Sequence, residues 1–278
     1  MNPKLFLLIT ACCVLQATMA QELYVFSEPA SNMPAKSISA KIGYRSPVSN
    51  YNNFYKQRYT PEIMFGASRD WMFHISSTFS DFYSNNVRWE SVKGYAKWRF
   101  YSDDDVHRHF RVAAYAEGAY SRSPFYYGDI NLDGDNSGIQ GGFIATQLIH
   151  KFAITGSAGV IKVFADRDAH VNHLGHSLSG LNYNLSAGYL LFPTSYTNYK
   201  QVNVNIYFEA IGMKGFEGND YMLDLAPALQ FIFNSNFKIN AGARFQATGN
   251  MLRVGEKNYY IGMERTFLGA LQHKHRKQ

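Results

Sequence analysis

The sequence predicts an all-β protein, a transmembrane antiparallel up-and-down β-barrel of about twelve strands. Three observations predict it. Apolar and polar residues alternate with period two along most of the chain, the period of a strand whose two faces meet different surroundings. Aromatics make up 16% of the residues and charged residues only 17%, below the roughly 25% charge of soluble domains. Mean hydropathy is nevertheless negative, at −0.27, and beyond the N-terminus no run reaches the ~18 consecutive apolar residues of a membrane helix. That combination excludes a bundle of apolar helices and suits strands that face lipid on one side and water on the other.

The N-terminus has its own explanation. Lys4 precedes the apolar run LFLLITACCVL (5–15) and the small-residue segment QATMA (16–20), the three parts of a secretory signal peptide. Residues 1–20 are therefore expected to be a leader cut after Ala20. Ile9-Thr10-Ala11-Cys12 offers a competing lipoprotein box, but its apolar run sits at the short edge of the ~7–15 residues typical of leaders. Both cysteines, Cys12 and Cys13, fall in the leader, so the mature chain is expected to hold no disulfide, thiolate metal site or cysteine nucleophile. Residues 21–35 show no period and are expected to be an irregular periplasmic segment whose apolar start tucks into the barrel mouth.

The barrel is expected over 36–267, with strands at about 36–46, 59–68, 71–81, 89–101, 109–121, 138–149, 152–164, 178–191, 200–212, 221–233, 237–246 and 257–267. Each approaches or exceeds the roughly 9–11 residues a tilted strand needs to cross a bilayer. In 109–121 Phe110, Val112 and Ala114 oppose Arg111, Tyr115 and Glu117; in 181–191 Leu181, Tyr183 and Leu185 oppose Asn182, Asn184 and Ser186. In 201–210 Val204, Ile206 and Phe208 oppose Asn205, Tyr207 and Glu209; in 237–246 Ile239 and Phe245 oppose Lys238 and Arg244. Long and short connections alternate, as extracellular loops and periplasmic turns do. A soluble sandwich also alternates, but its strands average ~5–6 residues and its outer face is charged. Here Trp71, Trp98, Phe100, Tyr120, Tyr189 and Phe245 gather near strand ends, as in the aromatic girdles of membrane barrels. Two places fit poorly. Pro227 falls mid-strand on the lipid face, where a bulge or register shift is expected, and GIQGGFIATQLI (138–149) reads in either register. Residues 268–278 form a basic tail, expected in the periplasm against anionic lipid or peptidoglycan-side partners rather than nucleic acid.

Alternation turns a set of polar side chains inward: Lys93, Tyr95, Lys97 and Arg99; Arg111, Tyr115 and Glu117; Tyr207 and Glu209; Asp224; Lys238 and Arg244; Tyr260 and Glu264. Rings of charge set selectivity, and basic residues favour anions. Opposite charges on neighbouring strands also pair and stiffen a wall. Twelve strands fall between filled eight-stranded and open 16–18-stranded barrels, so a narrow pore and a plugged lumen both stand. Small residues among the charges lean toward a pore, and tyrosines among cations suit small anionic or aromatic solutes.

Two segments carry metal-ligand chemistry. DINLDGDNSGIQ (129–140) opens like an EF-hand loop, with Asp129, Asn131, Asp133 and Asp135 as oxygen ligands of a weak calcium site. Its twelfth position is Gln140, where a bidentate Glu is needed, and strands flank it rather than helices. It is expected in the longest extracellular loop, as a stiffener of the outer rim. HVNHLGH places His170, His173 and His176 three apart, a weak transition-metal candidate set against a hydrated loop. No other cofactor is expected. His74 and Ser76 share one face, the pair an outer-membrane lipid hydrolase would use, but that face is the lumen and no orienting third residue is identifiable. No enzyme is expected.

Several segments resemble a known family: QELYVFSEPASNMPAKSISAKIGY (21–44), PEIMFGASRDWMFH (61–74), YAKWRFYSDDDVHRHFRVAAYAE (95–117), IATQLIHKFAI (144–154) and PALQFIFNSNFKINAGAR (227–244). They are similar to bacterial outer-membrane barrel transporters of the type named after the meta-cleavage pathway of phenol degradation. The resemblance spans nearly the whole mature chain. It implies a barrel in the outer membrane of a Gram-negative bacterium and carries no residue-level role. The chain departs from it after Phe267, where LGALQHKHRKQ follows the aromatic end expected of a last strand. The expected function is passive passage of small solutes, with outer-membrane lipid and the solute as partners and the oligomeric state open. A non-conducting structural or adhesive barrel acting through loops such as 46–57 and 123–138 is the alternative.

Overall fold

The computed structural model describes residues 23–123, 127–164, 177–195 and 200–272. The expected leader, His170, His173 and His176, and the tail from 273 lie outside them. The strands are β1 Ser37–Val48, β2 Arg58–Gly66, β3 Trp71–Ser80, β4 Arg88–Asp104, β5 Arg108–Ser121, β6 Gly138–Ile149, β7 Phe152–Val163, β8 Ser179–Phe192, β9 Asn203–Gly215, β10 Tyr221–Phe233, β11 Phe237–Gly249 and β12 Lys257–Phe267. Each pairs antiparallel with its sequence neighbours, and β12 returns to β1, with Lys41 opposite Glu264. Closure leaves no unpaired sheet edge.

The outer face is apolar. Phe143 is 64% exposed and Leu185 57%, alongside Ile42, Ile63, Ile75, Phe208 and Ile261. Each such side chain left in water forgoes about 1.5–3 kcal/mol of burial, so the medium this face fits is hydrocarbon. Aromatics flank the apolar band. At the short-turn end Trp71 stacks on Trp98 at 5.9 Å, with Phe73 and Phe100 beside them. Toward the long-loop end Tyr44 meets Tyr59 and Tyr259 meets Phe245. The turns 105–107, 150–151 and 234–236 are tight, and His150, Asn234 and Ser235 take φ of 50–56° there.

Two expectations about register resolve. In β6 Gln140, Ile144 and Thr146 point inward and Ile139 and Phe143 outward. Pro227 causes no slip: β10 pairs continuously with β9 through Pro227–Phe208, and the shift against β11 falls between Leu223 and Asp224. A proline on the outward face breaks one ladder bond without changing which residues face each other. β4 runs on to Asp104, past a bulge between Arg99 and Tyr101.

The interior is not a single apolar core. It is filled from both ends by two inserted segments, residues 23–36 and the loop around 127–137, each seated on inward side chains of the wall. Small wall residues make room for them. A Cβ at Gly188 would lie 2.5 Å from the Tyr207 ring, and that ring packs on Tyr24 at 5.3 Å.

Candidate functional site

The lumen is the candidate site, and the N-terminal segment shapes its short-turn half. Lys97 of β4 is fully buried and donates to Glu28 Oε2 at 3.0 Å, to Pro29 O at 2.8 Å and to Ser31 O at 3.0 Å. Glu209 of β9 accepts the backbone N–H groups of Val25 and Phe26, each at 3.0 Å. Ala30 N donates to Thr146 Oγ1 at 2.8 Å, Ser27 bonds Ser186, and Arg111 reaches Ser31 Oγ. Extended chain without a sheet partner must find acceptors and donors elsewhere, and the polar faces of β4, β6, β8 and β9 supply them.

The loop from β5 to β6 does not stand out as an extracellular rim. It folds inward. Ile130 and Leu132 bury against Ile161, Val163, Met213, Met222 and Met251. Asp135 accepts a two-pronged bond from Arg58 at 3.0 and 2.5 Å and one from Tyr83 Oη at 2.8 Å. Arg58 also reaches Glu90 at 3.1 Å. Asp133 accepts from Arg45 Nη1 at 3.0 Å and Lys93 Nζ at 2.6 Å. Lys93, with Arg45 behind it, holds the Asp133 carboxyl well below the usual aspartate range. Burial alone would raise Asp135, but Arg58 outweighs it and the carboxyl is lowered. Burial raises Asp129, against the pull of Arg253.

This arrangement gives oxygens of the expected calcium loop protein partners instead. Asp133 and Asp135 turn to separate cations of the wall, and Asn131 Oδ1 is taken by the Asp133 N–H at 3.0 Å. Among the described residues no group of three or more His, Cys, Asp or Glu could hold a metal ion. The acidic i, i+2 spacing serves ion pairs that run across the lumen.

The fourteen side chains turned inward by alternation fall into three zones. Lys93, Tyr95, Tyr115, Glu117, Asp224 and Arg244 border a cavity of about 300 Å³ below the loop. Tyr260 borders an adjoining space of about 160 Å³ that shares Lys93, Tyr95 and Glu117. Lys97, Tyr207 and Glu209 are covered by the N-terminal segment. At the short-turn end Lys238 pairs with Glu264 at 3.3 Å, Arg99 with Asp70, and Arg111 with Asp104 at 2.9 Å. Near the large cavity Arg244 and Arg253 both clamp Asp224. Arg45, Arg58 and Arg253 were absent from the sequence-derived set. Arg58 opens β2 one residue before the expected start, and Arg253 lies in a connection where no period operates. Arg45 shares the inward face of Lys41 and was legible there.

His74 and Ser76 both face the lumen and are buried. Glu62 Oε1 lies 3.3 Å from His74 Nδ1, a partner alternation did not single out. His74 Nε2 has no hydrogen-bond partner among the described residues, so it is not engaged with the Ser76 hydroxyl.

Glu28 borders the large cavity, the side chamber and a pocket of only about 30 Å³ toward the short-turn end. The lumen thus narrows where the N-terminal segment lies. The wall with Arg253 brings ten cations inward, Lys41, Arg45, Arg58, Lys93, Lys97, Arg99, Arg111, Lys238, Arg244 and Arg253, among the described residues. Glu28, Asp129, Asp133 and Asp135 of the inserted segments supply acids against them.

No family model and no curated protein matches the chain. Solved structures do. A KdgM porin superposes with a TM-score of 0.52 at 10% identity, covering 82% of this chain and 99% of that one. The crystal structure of an outer membrane channel from Pseudomonas putida F1 gives 0.53 at 10% identity, over 88% and 100%. At such identity the likeness is one of fold, the closed twelve-stranded antiparallel β-barrel that this chain shares with those two channels.

Proposed function

We propose that the chain is an outer-membrane channel for the passive passage of small solutes, without a catalytic site, and that the described conformation is its constricted state. The long-loop end is then extracellular and the short-turn end periplasmic. One observation carries the reading. A charge-lined lumen of about 300 Å³ is closed toward the short-turn end by a segment held through hydrogen bonds and ion pairs. Polar contacts of that kind exchange with water and solute, and the apolar packing of Tyr24, Val25 and Phe26 on the wall is released together with them. The apolar outer face supports a membrane location. The segments quoted above support kinship with the meta-pathway type transporters.

The same closure favours a second reading, a non-conducting barrel acting through its loops. Planar-bilayer conductance and liposome swelling separate the two. The channel reading expects measurable flux from the chain starting at 21 and a larger, steadier current when 23–34 is deleted. A folded deletion variant that passes neither ions nor glycerol would end the channel reading and leave the structural one.

A further inference from the structure

Resting on the channel reading, we propose that Arg45 and Lys93 form the binding site for the carboxylate of a small aromatic acid in transit, with Asp133 as its built-in competitor. The two cations already hold a carboxylate. Arg45 Nη1 donates to Asp133 Oδ2 at 3.0 Å and Lys93 Nζ to Oδ1 at 2.6 Å, one cation per oxygen. Charge balance shows what replaces it. Glu117 Oε2 lies 3.5 Å from Lys93, so two cations face two anions while Asp133 is docked. When Asp133 turns away, one positive charge is uncompensated, and one monoanion restores neutrality.

Asp133 is the movable partner. Its side chain is 39% exposed and faces the large cavity, while Asp135, forked by Arg58, is 11% exposed. Leu132 before it is buried in the apolar cluster and Asp135 after it is clamped. Exchange therefore needs only rotation about the Asp133 side-chain bonds, with the loop backbone left in place.

The neighbouring surface selects the body of the ligand. Tyr95 follows Lys93 on the inward face of β4, and its ring stacks with Tyr115 at 5.8 Å and 21°. Both rings border the same cavity as the clamp. The Tyr95 hydroxyl is buried and has no hydrogen-bond partner among the described residues. Aromatic faces favour a planar apolar body, and the clamp requires an anionic end.

Calorimetry on the detergent-purified protein tests the site, with sodium benzoate as probe and benzamide as its neutral isostere. Benzoate is expected to bind with one-to-one stoichiometry and benzamide not to bind. Asp133→Asn is expected to tighten benzoate about tenfold or more, because a competitor docked over ~90% of the time lowers apparent affinity by that fraction. Lys93→Gln is expected to weaken it by about tenfold, the loss of one charge-assisted contact. Asp135→Asn loosens the anchor instead and is expected to give no tightening, which separates competition from a generally slackened loop. Equal binding of benzoate and benzamide, or no tightening in Asp133→Asn, overturns the proposal. Binding is read without flux, so failure of glycerol swelling in liposomes would count against the channel reading alone. Swelling without benzoate binding would count against the clamp alone.

Discussion

Replacing Lys97 with Met keeps the unbranched chain to within one atom and removes its charge, and so isolates what holds the N-terminal segment in the lumen. Lys97 has three acceptors on that segment, Glu28 Oε2 and the carbonyls of Pro29 and Ser31, at 2.8–3.0 Å. Deleting one partner of a fully buried pair costs about 3–5 kcal/mol. Glu28 is 26% exposed and recovers part of its hydration, so the expected loss in docking free energy is about 2–3 kcal/mol. At about 1.4 kcal/mol per factor of ten, the undocked population rises roughly 30- to 150-fold. Two measurements read it. Hydrogen exchange at the amides of Val25, Phe26 and Ala30, which the wall protects, accelerates by that factor. In planar bilayers the open dwell fraction rises in parallel. The variant must first be shown to keep its barrel by heat-modifiable migration. A folded variant with unchanged exchange at all three amides would refute the account of Lys97 as the segment's principal tether.

Other outcomes follow from the same contacts. Asp133 and Asp135 are both held below the ordinary aspartate value of 3.8 in the docked loop; their contribution to docking is complete above that value and is lost as pH falls through the lower docked values. Asp129, raised by burial, works the other way and relieves strain as it protonates. Conductance is therefore expected to become noisier below about pH 4, as Asp133 and Asp135 lose their ionised form; a quiet trace down to about pH 3 would contradict their role in docking. Arg58→Gln leaves Glu90 and Asp135 facing each other without their cation, and should lower stability by about 3–5 kcal/mol, read as a fall in urea midpoint. Leu185→Arg sets a charge on the outward face of β8 and should cost about 2–4 kcal/mol if that face meets the bilayer midplane; equal refolding of both proteins in lipid would contradict a membrane-facing β8.

Much of the barrel was legible because alternation is a local property. Successive side chains of a strand point to opposite faces whatever the strand packs against, so Phe208 and Glu209 separate without knowledge of β8 or β10. Alternation likewise turned Lys93, Glu117 and Arg244 inward. β6 was less legible because both registers of a Gly-rich strand look alike until its neighbours are present, and Pro227 because its missing donor does not by itself say whether the ladder slips. What each inward charge meets was not legible at all. Asp133 and Arg45 are 88 residues apart, and Val25 and Glu209 are 184 apart. No period in the chain encodes such pairs. DINLDGDNSGIQ therefore offered only a weak calcium candidate, since its Asp, Asn and Gly spacing has the same local form whether the oxygens meet a metal ion or the cations of a surrounding wall. Closure of β12 onto β1 put those cations within reach, and the apolar anchors Ile130 and Leu132 drew the loop inward to them.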